Sequence, residues 1–340
     1  MTGYHYWDRA PRFPVATGRL ALPCVLLSLL LLAGYARAQD AASWPVKPIR
    51  LIIPYAAGGP ADVVGREIAH ALALDVRQSV SVENLGGGMG VPALGVVARA
   101  DPDGQTLLLA AIGNIVLQPM LSRQGGAELV ARLRPVSTVS IAPHVLVVSA
   151  KWPIQSVQEL VDYARARPGR VSFGSAGTGG TAHLGVEMFR SLTGTDVLHV
   201  PYKGTSGATI DLISGEITAL FSTPPSLQPL AEKGHVRMLA ATGPSQSASL
   251  RNLPLMSDTI PGYEYTSWYA MYAPLATPAG LVDRIQQALD RVLRQPALVA
   301  KIEAAGTELH AGTAQEVLAW TQRDTDKWRK VIQAAHIQLE

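Results

Sequence analysis

From Val171 to Gly194 the chain reads VSFGSAGTGGTAHLGVEMFRSLTG. A strand-like run ends in Gly174, Gly177, Gly179, Gly180 and Gly185, interleaved with the hydroxyls of Ser175, Thr178 and Thr181. Glycines allow sharp turns and close approach to backbone amides. Hydroxyls both donate and accept hydrogen bonds. A helix beginning near Thr181 aims unpaired N–H groups and a partial positive charge at the same point. That chemistry suits an anion. A second stretch, PYAAGGPAD from Pro54 to Asp62, repeats the pattern after the first strand. Its plainer reading is a strand-to-helix connection, with Pro60 near the first helical position and Asp62 complementing the dipole.

Other constellations are weaker. Gly88-Met89-Gly90-Val91-Pro92-Ala93 formally matches a dinucleotide fingerprint, but it follows the second strand and no acid is placed for a ribose. It reads as a tight turn. Ser175 and His183, eight residues apart, could serve a hydrolase with Asp196 or Asp211. There is no G-x-S-x-G elbow, and His183 falls in the first turn of a helix. His144, His183, His199 and His235 are scattered without metal-ligand spacing. Trp268, Tyr269 and Tyr272 either line a cleft or pack in a core. Tyr202 and Lys203 lie in VPYKG after a strand, where Lys203 is either a solvated charge or an attractor of acidic ligands.

The elements that position these residues alternate. IRLIIPY precedes ADVVGREIAHALAL, where Val64, Ile68 and Leu72 recur at helical spacing; SVSVENL, QTLLLAAI, HVLVVSA, RVSFGSA, DVLHVPY, ITALFST and HVRMLAAT are strand-like. The tail from Pro278 reads as nearly all helix. This predicts parallel sheets covered by helices, in two domains, with the C-terminal helices folding back on the first. Ligands of such sheets bind beyond the carboxyl ends of the strands.

The first 38 residues stand apart. Arg9, Arg12 and Arg19 precede LALPCVLLSLLLL, and Ala36-Arg37-Ala38 follows, which reads as a cleaved signal peptide. Without its four arginines and one aspartate the formal net charge falls from +3 to zero, so the basic balance argues for no nucleic-acid partner. Cys24, the single cysteine, leaves too, which excludes disulfides, cysteine nucleophiles and thiolate metal sites from the mature chain.

Taken in order, WPVKPIRLIIPYAAGGPADVVGR, ENLGGGMG, DPDGQTLLLA, GSAGTGGTAHLGVEMF, VPYKG, DLISGEI, APLATPAGLVDRI and KWRKVIQAAHI resemble the Bug-type receptors of tripartite tricarboxylate transporters. The resemblance implies an α/β, type II periplasmic-binding-protein fold: two α/β lobes, an interlobe cleft and two crossover segments, near STVSIAPHVLVV and YTSWYAMYAP. Lobe I is expected over 39–142 plus 266–340 and lobe II over 143–265, after a signal peptide over 1–38. A small carboxylate (organic acid, amino acid or aromatic acid) would sit in the cleft. The implied contacts are Tyr55, Ala56, Ala57, Gly58, Gly59, Asp62 and Asn114 on one side, the first loop acting partly through ordered waters. On the other they are Ser175, Gly177, Thr178, Gly179, Thr181, His183 and Tyr202. The resemblance implies a periplasmic monomer without cofactor or metal, not an enzyme, serving inner-membrane permease subunits or a membrane sensor. Tyr55 stands where phenylalanine is common, and Gly207 replaces a usual proline, which predicts a looser loop there. LPLMSDTIPGYEY lacks the family's Pro-Thr and glycine pattern.

Overall fold

The computed structural model describes residues 44–121, 126–202, 204–224, 227–245, 247, 250–304 and 307–334. The leader and Lys203 lie outside the described residues.

Strand β1 (Ile49–Ile53) is buried at Ile49, Leu51, Ile52 and Ile53, the near-continuous apolar pattern of a strand covered on both faces. Helix α1 (Pro60–Val76) follows, burying Val64, Ile68 and Leu72 at the predicted spacing. Then come β2 (Val80–Asn84), α2 (Val91–Ala98) and β3 (Thr106–Ala111). After β3 a π-helical turn, Gly113–Leu117, and short helices α3 (Gln118–Leu121) and α4 (Gly126–Val130) lead into β4 (Leu133–Pro143). The second sheet uses β5 (Val145–Ser149), α5 (Val157–Ala166), β6 (Val171–Ser175), α6 (Thr181–Thr193), β7 (Val197–Pro201), α7 (Thr205–Ser214), β8 (Ala219–Ser222), α8 (Gln228–Glu232) and β9 (Val236–Ala241). Short α9 (Met256–Thr259) precedes β10 (Thr266–Pro274). The chain continues with α10 (Ala279–Leu293), α11 (Pro296–Ala304), β11 (Glu308–Leu309) and α12 (Ala314–Ala334).

The sheets run β11-β4-β10-β3-β1-β2 and β7-β6-β8-β5-β9. They are mixed, which corrects the expectation of parallel sheets. β1 is parallel to β2 and β3, and β6 is parallel to β7 and β8. β10 runs antiparallel to β3 and β4, and β5 antiparallel to β8 and β9. The reason is connectivity: β5 follows β4 through His144 alone, and among the described residues only the four-residue α9 lies between β9 and β10, too short for a crossover helix.

These two passages are the crossings. Only His144 separates β4 from β5, and Tyr265 immediately precedes β10. Buried Thr242 ties them together. Its hydroxyl accepts from the His144 N–H at 2.9 Å and donates to the Tyr265 carbonyl at 2.6 Å. Its own N–H donates to His144 O at 2.8 Å, and the Tyr265 N–H donates to its carbonyl at 2.9 Å.

The tail differs from expectation in two ways. Glu308–Leu309 breaks the helical run to pair with β4. Helices α10 and α11 do pack on the first half, against α1, but α12 packs both on β4 and on α6 of the second half. Trp268 is buried and donates its Nε1–H to Asp324 Oδ2 at 2.6 Å, so it anchors α12. Tyr269 and Tyr272 are likewise buried.

Candidate functional site

The two glycine-rich stretches occupy the carboxyl ends of β1 and β6, each followed at once by a helix. In the first, Ala56, Ala57 and Gly58 are exposed, and Tyr55 and Gly59 are half-buried. Gly58 has φ +80°, a conformation glycine adopts without penalty. Its N–H donates to Asp62 Oδ2 at 2.8 Å, and Arg66 Nε donates to the same oxygen at 3.0 Å. Arg66 Nη2 reaches Asn84 Oδ1 at 3.0 Å, and Asn84 Nδ2 holds the Tyr55 carbonyl at 3.1 Å. Burial opposes ionisation of Asp62. The hydrogen bonds from Arg66, Gly58 and Asn84, with the Arg66 charge, outweigh it and hold the carboxyl below its ordinary range. Asp62 therefore braces the loop from behind.

Asn114 is buried in the π-helical turn. Its Oδ1 accepts from the Ala111 N–H and its Nδ2 donates to the Met89 carbonyl, each at 3.1 Å. Met89 has φ +52°, unusual for a side chain of its size, in the short Gly88–Gly90 turn before α2. Asn114 thus clamps the turn that the dinucleotide pattern had marked. Burial, with Tyr269 nearby, raises the Tyr55 hydroxyl far above its ordinary pKa, so it stays protonated.

In the second stretch Ser175 is fully buried. Its Oγ accepts from the Gly177 N–H at 3.2 Å, donates to the Gly177 carbonyl at 3.0 Å, and lies 2.6 Å from His199 Nε2. The histidine beside Ser175 is therefore His199, not His183. Buried Gly179, at φ +79°, donates its N–H to His183 Nδ1 at 3.0 Å. Thr181 and His183 are buried, Gly177 is half-buried, and Thr178 is exposed. Helix α6 has Gly180 as its N-cap and no side-chain cap. Among the described residues the N–H groups of Thr178, Gly180, Thr181, Ala182 and His183 have no protein acceptor. Helices α1 and α7 likewise start at glycine N-caps, Gly59 and Gly204, without side-chain caps.

Tyr202 backs this loop. Its N–H donates to Ser175 O at 3.0 Å, and the Gly204 N–H donates to Ala176 O at 3.2 Å. The Tyr202 hydroxyl donates to Asp211 Oδ2 at 2.6 Å; burial and the Asp211 carboxylate push its pKa up to about 12. Gly207 does not loosen a loop, contrary to the sequence expectation. It lies inside α7, where an added Cβ would sit 3.2 Å from the Tyr202 ring. Tyr202 thus occupies the space a larger residue would need.

Sequence reasoning gave no role to Glu187, Arg190, Arg66 or Asn84, and it named His199 and Asp211 without pairing them with Ser175 and Tyr202. One signal was available: His183 and Glu187 are four apart on a helix, the spacing of facing side chains. Among the described residues no three His, Cys, Asp or Glu side chains form a metal-binding group.

A profile described as "Tripartite tricarboxylate transporter family receptor" matches residues 64–337. The chain belongs to that family. The match takes in the whole Ser175–Thr181 loop and begins just after Asp62. BugT of Bordetella pertussis is 30% identical over 315 residues, covering 91% of this chain and 95% of BugT. A UPF0065 protein from the tcbD-tcbE intergenic region of Pseudomonas sp. (strain P51) is 30% identical over 312 residues, covering 90% and 91%. Among solved structures, R. palustris Rpa4515 with adipate superposes with a TM-score of 0.83 at 30% identity, covering 87% of this chain and 99% of that one. The periplasmic binding protein BugD gives 0.81 at 28% identity, covering 87% and 100%. The fold is that of these receptors: α/β, two sheets, two crossings, as the sequence predicted.

Proposed function

We propose that this receptor binds a small carboxylate in a cleft between two lobes, 39–142 plus 266–340 and 143–265, and delivers it to a tripartite-type permease in the inner membrane. One observation carries the reading. Five N–H groups in and after the Ser175–Thr181 loop have no acceptor among the described residues, at an uncapped helix N-terminus. A carboxylate supplies acceptors and negative charge together. Neither loop core contains an arginine, so recognition rests on amides, hydroxyls and bridging water. The adipate held by a 30%-identical structure supports the class of ligand. The leader supports a periplasmic location.

The Ser175–His199 contact is what a hydrolase reading would use. Ser175 is fully buried, and its hydroxyl is held within the loop by both the N–H and the carbonyl of Gly177. We therefore read it as a loop brace and the protein as a non-enzyme. A fluorophosphonate probe that labelled Ser175 would reverse this.

The deciding experiment is a thermal-shift screen of organic, amino and aromatic acids, followed by calorimetry on the best acid and its amide. Hydrogen bonds to charged groups contribute about 1.5–3 kcal/mol, so the amide should bind roughly ten- to hundredfold more weakly. Equal affinities would place the ligand away from the loop.

A further inference from the structure

The Gly179–His183 and Ser175–His199 contacts meet in one place. The two imidazole rings stack with centroids 4.0 Å apart and planes 21° from parallel. Because Gly179 N–H donates to His183 Nδ1, that nitrogen carries no proton, and the ring proton sits on Nε2, 3.6 Å from Glu187 Oε1. Arg190 holds the other Glu187 oxygen at 2.9 Å and donates to Val197 O at 2.6 Å. Burial opposes ionisation of Glu187, but the facing His183 ring and the Arg190 charge lower its pKa. His199 is brought down to about 4, by burial first, with His183 and Arg190 adding to the effect and Glu187 opposing it. Strands β6 and β8, also packed on α6, bring no titratable side chain. Of the charges on α12, Asp324 is engaged by Trp268 and Arg323, Lys327 by the Glu264 carbonyl, Glu316 by Thr313 and Asp326 by Arg329, while Lys330 is exposed.

We propose that His183 is a proton-operated latch on the 175–181 loop. Neutral, it holds the Gly179 amide inward and leaves the remaining amides of the loop for an anion. Protonated at Nδ1, it faces a donor with a donor, and the buried Gly179 N–H must leave. The loop then loses the conformation that presents the open amides. The inference rests on the reading of the loop as an anion cradle, and it makes His183 a positioning residue.

Nuclear magnetic resonance on the uniformly 15N-labelled protein tests it without any ligand. At pH 7.5 His183 should be the Nε2–H tautomer, with a scalar coupling across the hydrogen bond between Gly179 N and His183 Nδ1. On acidification the coupling should vanish, and the Gly179 amide should shift with the same midpoint as the His183 ring. His183→Ala should abolish that midpoint at Gly179. If this variant does not fold, His199→Phe, which keeps a stacked ring, should retain the coupling. An Nδ1–H tautomer at pH 7.5, or a Gly179 amide indifferent to His183 protonation, would overturn the proposal. Calorimetry with the best acid from the screen should show affinity falling about tenfold across the same midpoint, and unchanged affinity would also overturn it. A loop that latches while no acid binds at any pH would condemn the receptor reading alone.

Discussion

At the scale of single residues, the site depends on backbone conformations that few side chains tolerate. Gly179 combines φ +79°, burial and an engaged N–H. Gly179→Val should therefore weaken carboxylate binding by at least tenfold in calorimetry, since a β-branched residue in that region costs of order 1–3 kcal/mol. Asp62 gives a subtler test. Asp62→Ala removes the acceptor of Gly58 and Arg66, and should cost about 1–2 kcal/mol in urea unfolding, because Arg66 is half in water. Asp62→Asn keeps one oxygen for the Gly58 N–H and should cost less. If the two variants are equally destabilised, charge rather than loop bracing is what Asp62 supplies.

At the scale of elements, the crossings are the most constrained part of the fold. Thr242→Val keeps the shape but strips one acceptor from the His144 N–H and one donor from the Tyr265 carbonyl, both buried. It should cost about 1–3 kcal/mol in denaturant titration. Gly185 on α6 makes a related point: its carbonyl accepts from the Tyr263 hydroxyl at 2.7 Å, and an added Cβ would come 2.4 Å from Tyr265 Oη. Overpacking of this kind costs typically 1–3 kcal/mol, so Gly185→Ala should lower the melting temperature by several degrees. What was legible in the sequence follows from this. The helices announced themselves through Val64, Ile68 and Leu72, and the glycine-rich ends of β1 and β6 through composition. The ring stack was not legible, because His199 meets His183 only through the parallel pairing of β6 with β7. The antiparallel strands were hidden for the same reason. Sheet neighbours so far apart in the sequence leave no periodic trace.

At the scale of the whole molecule, stability should fall on acidification well before the carboxylates are exhausted. His144 is buried at the first crossing and pushed down to about 3 by burial, and His199 lies at about 4. Both keep their proton off in the native state and take it up near pH 6.5 when unfolded. Their contribution is complete above pH 6.5 and is lost progressively as pH falls toward 4 and 3. Asp62 and Glu187, whose pKa values are lowered, act in the same direction at lower pH, losing their contribution as they protonate in the fold. Unfolding free energy should be level above pH 6.5 and decline from there to pH 4, and His144→Leu should flatten the slope. A pH-independent stability between 6.5 and 4.5 would contradict this account.

Strand β10 lies between β4 and β3 in the first sheet although it comes from Thr266–Pro274, whereas the second sheet is drawn from the unbroken span Val145–Ala241. The order in which the halves can assemble is thereby set. A nascent or translocating chain can complete the second sheet while the first still has a gap at its centre, and closing that gap requires contacts of high sequence separation, which form slowly. In pulsed hydrogen exchange during refolding, amides of β5 and β6 should become protected before those of β3 and β10. The late-closing half would leave the two ends of the chain free to move long after its middle has taken shape.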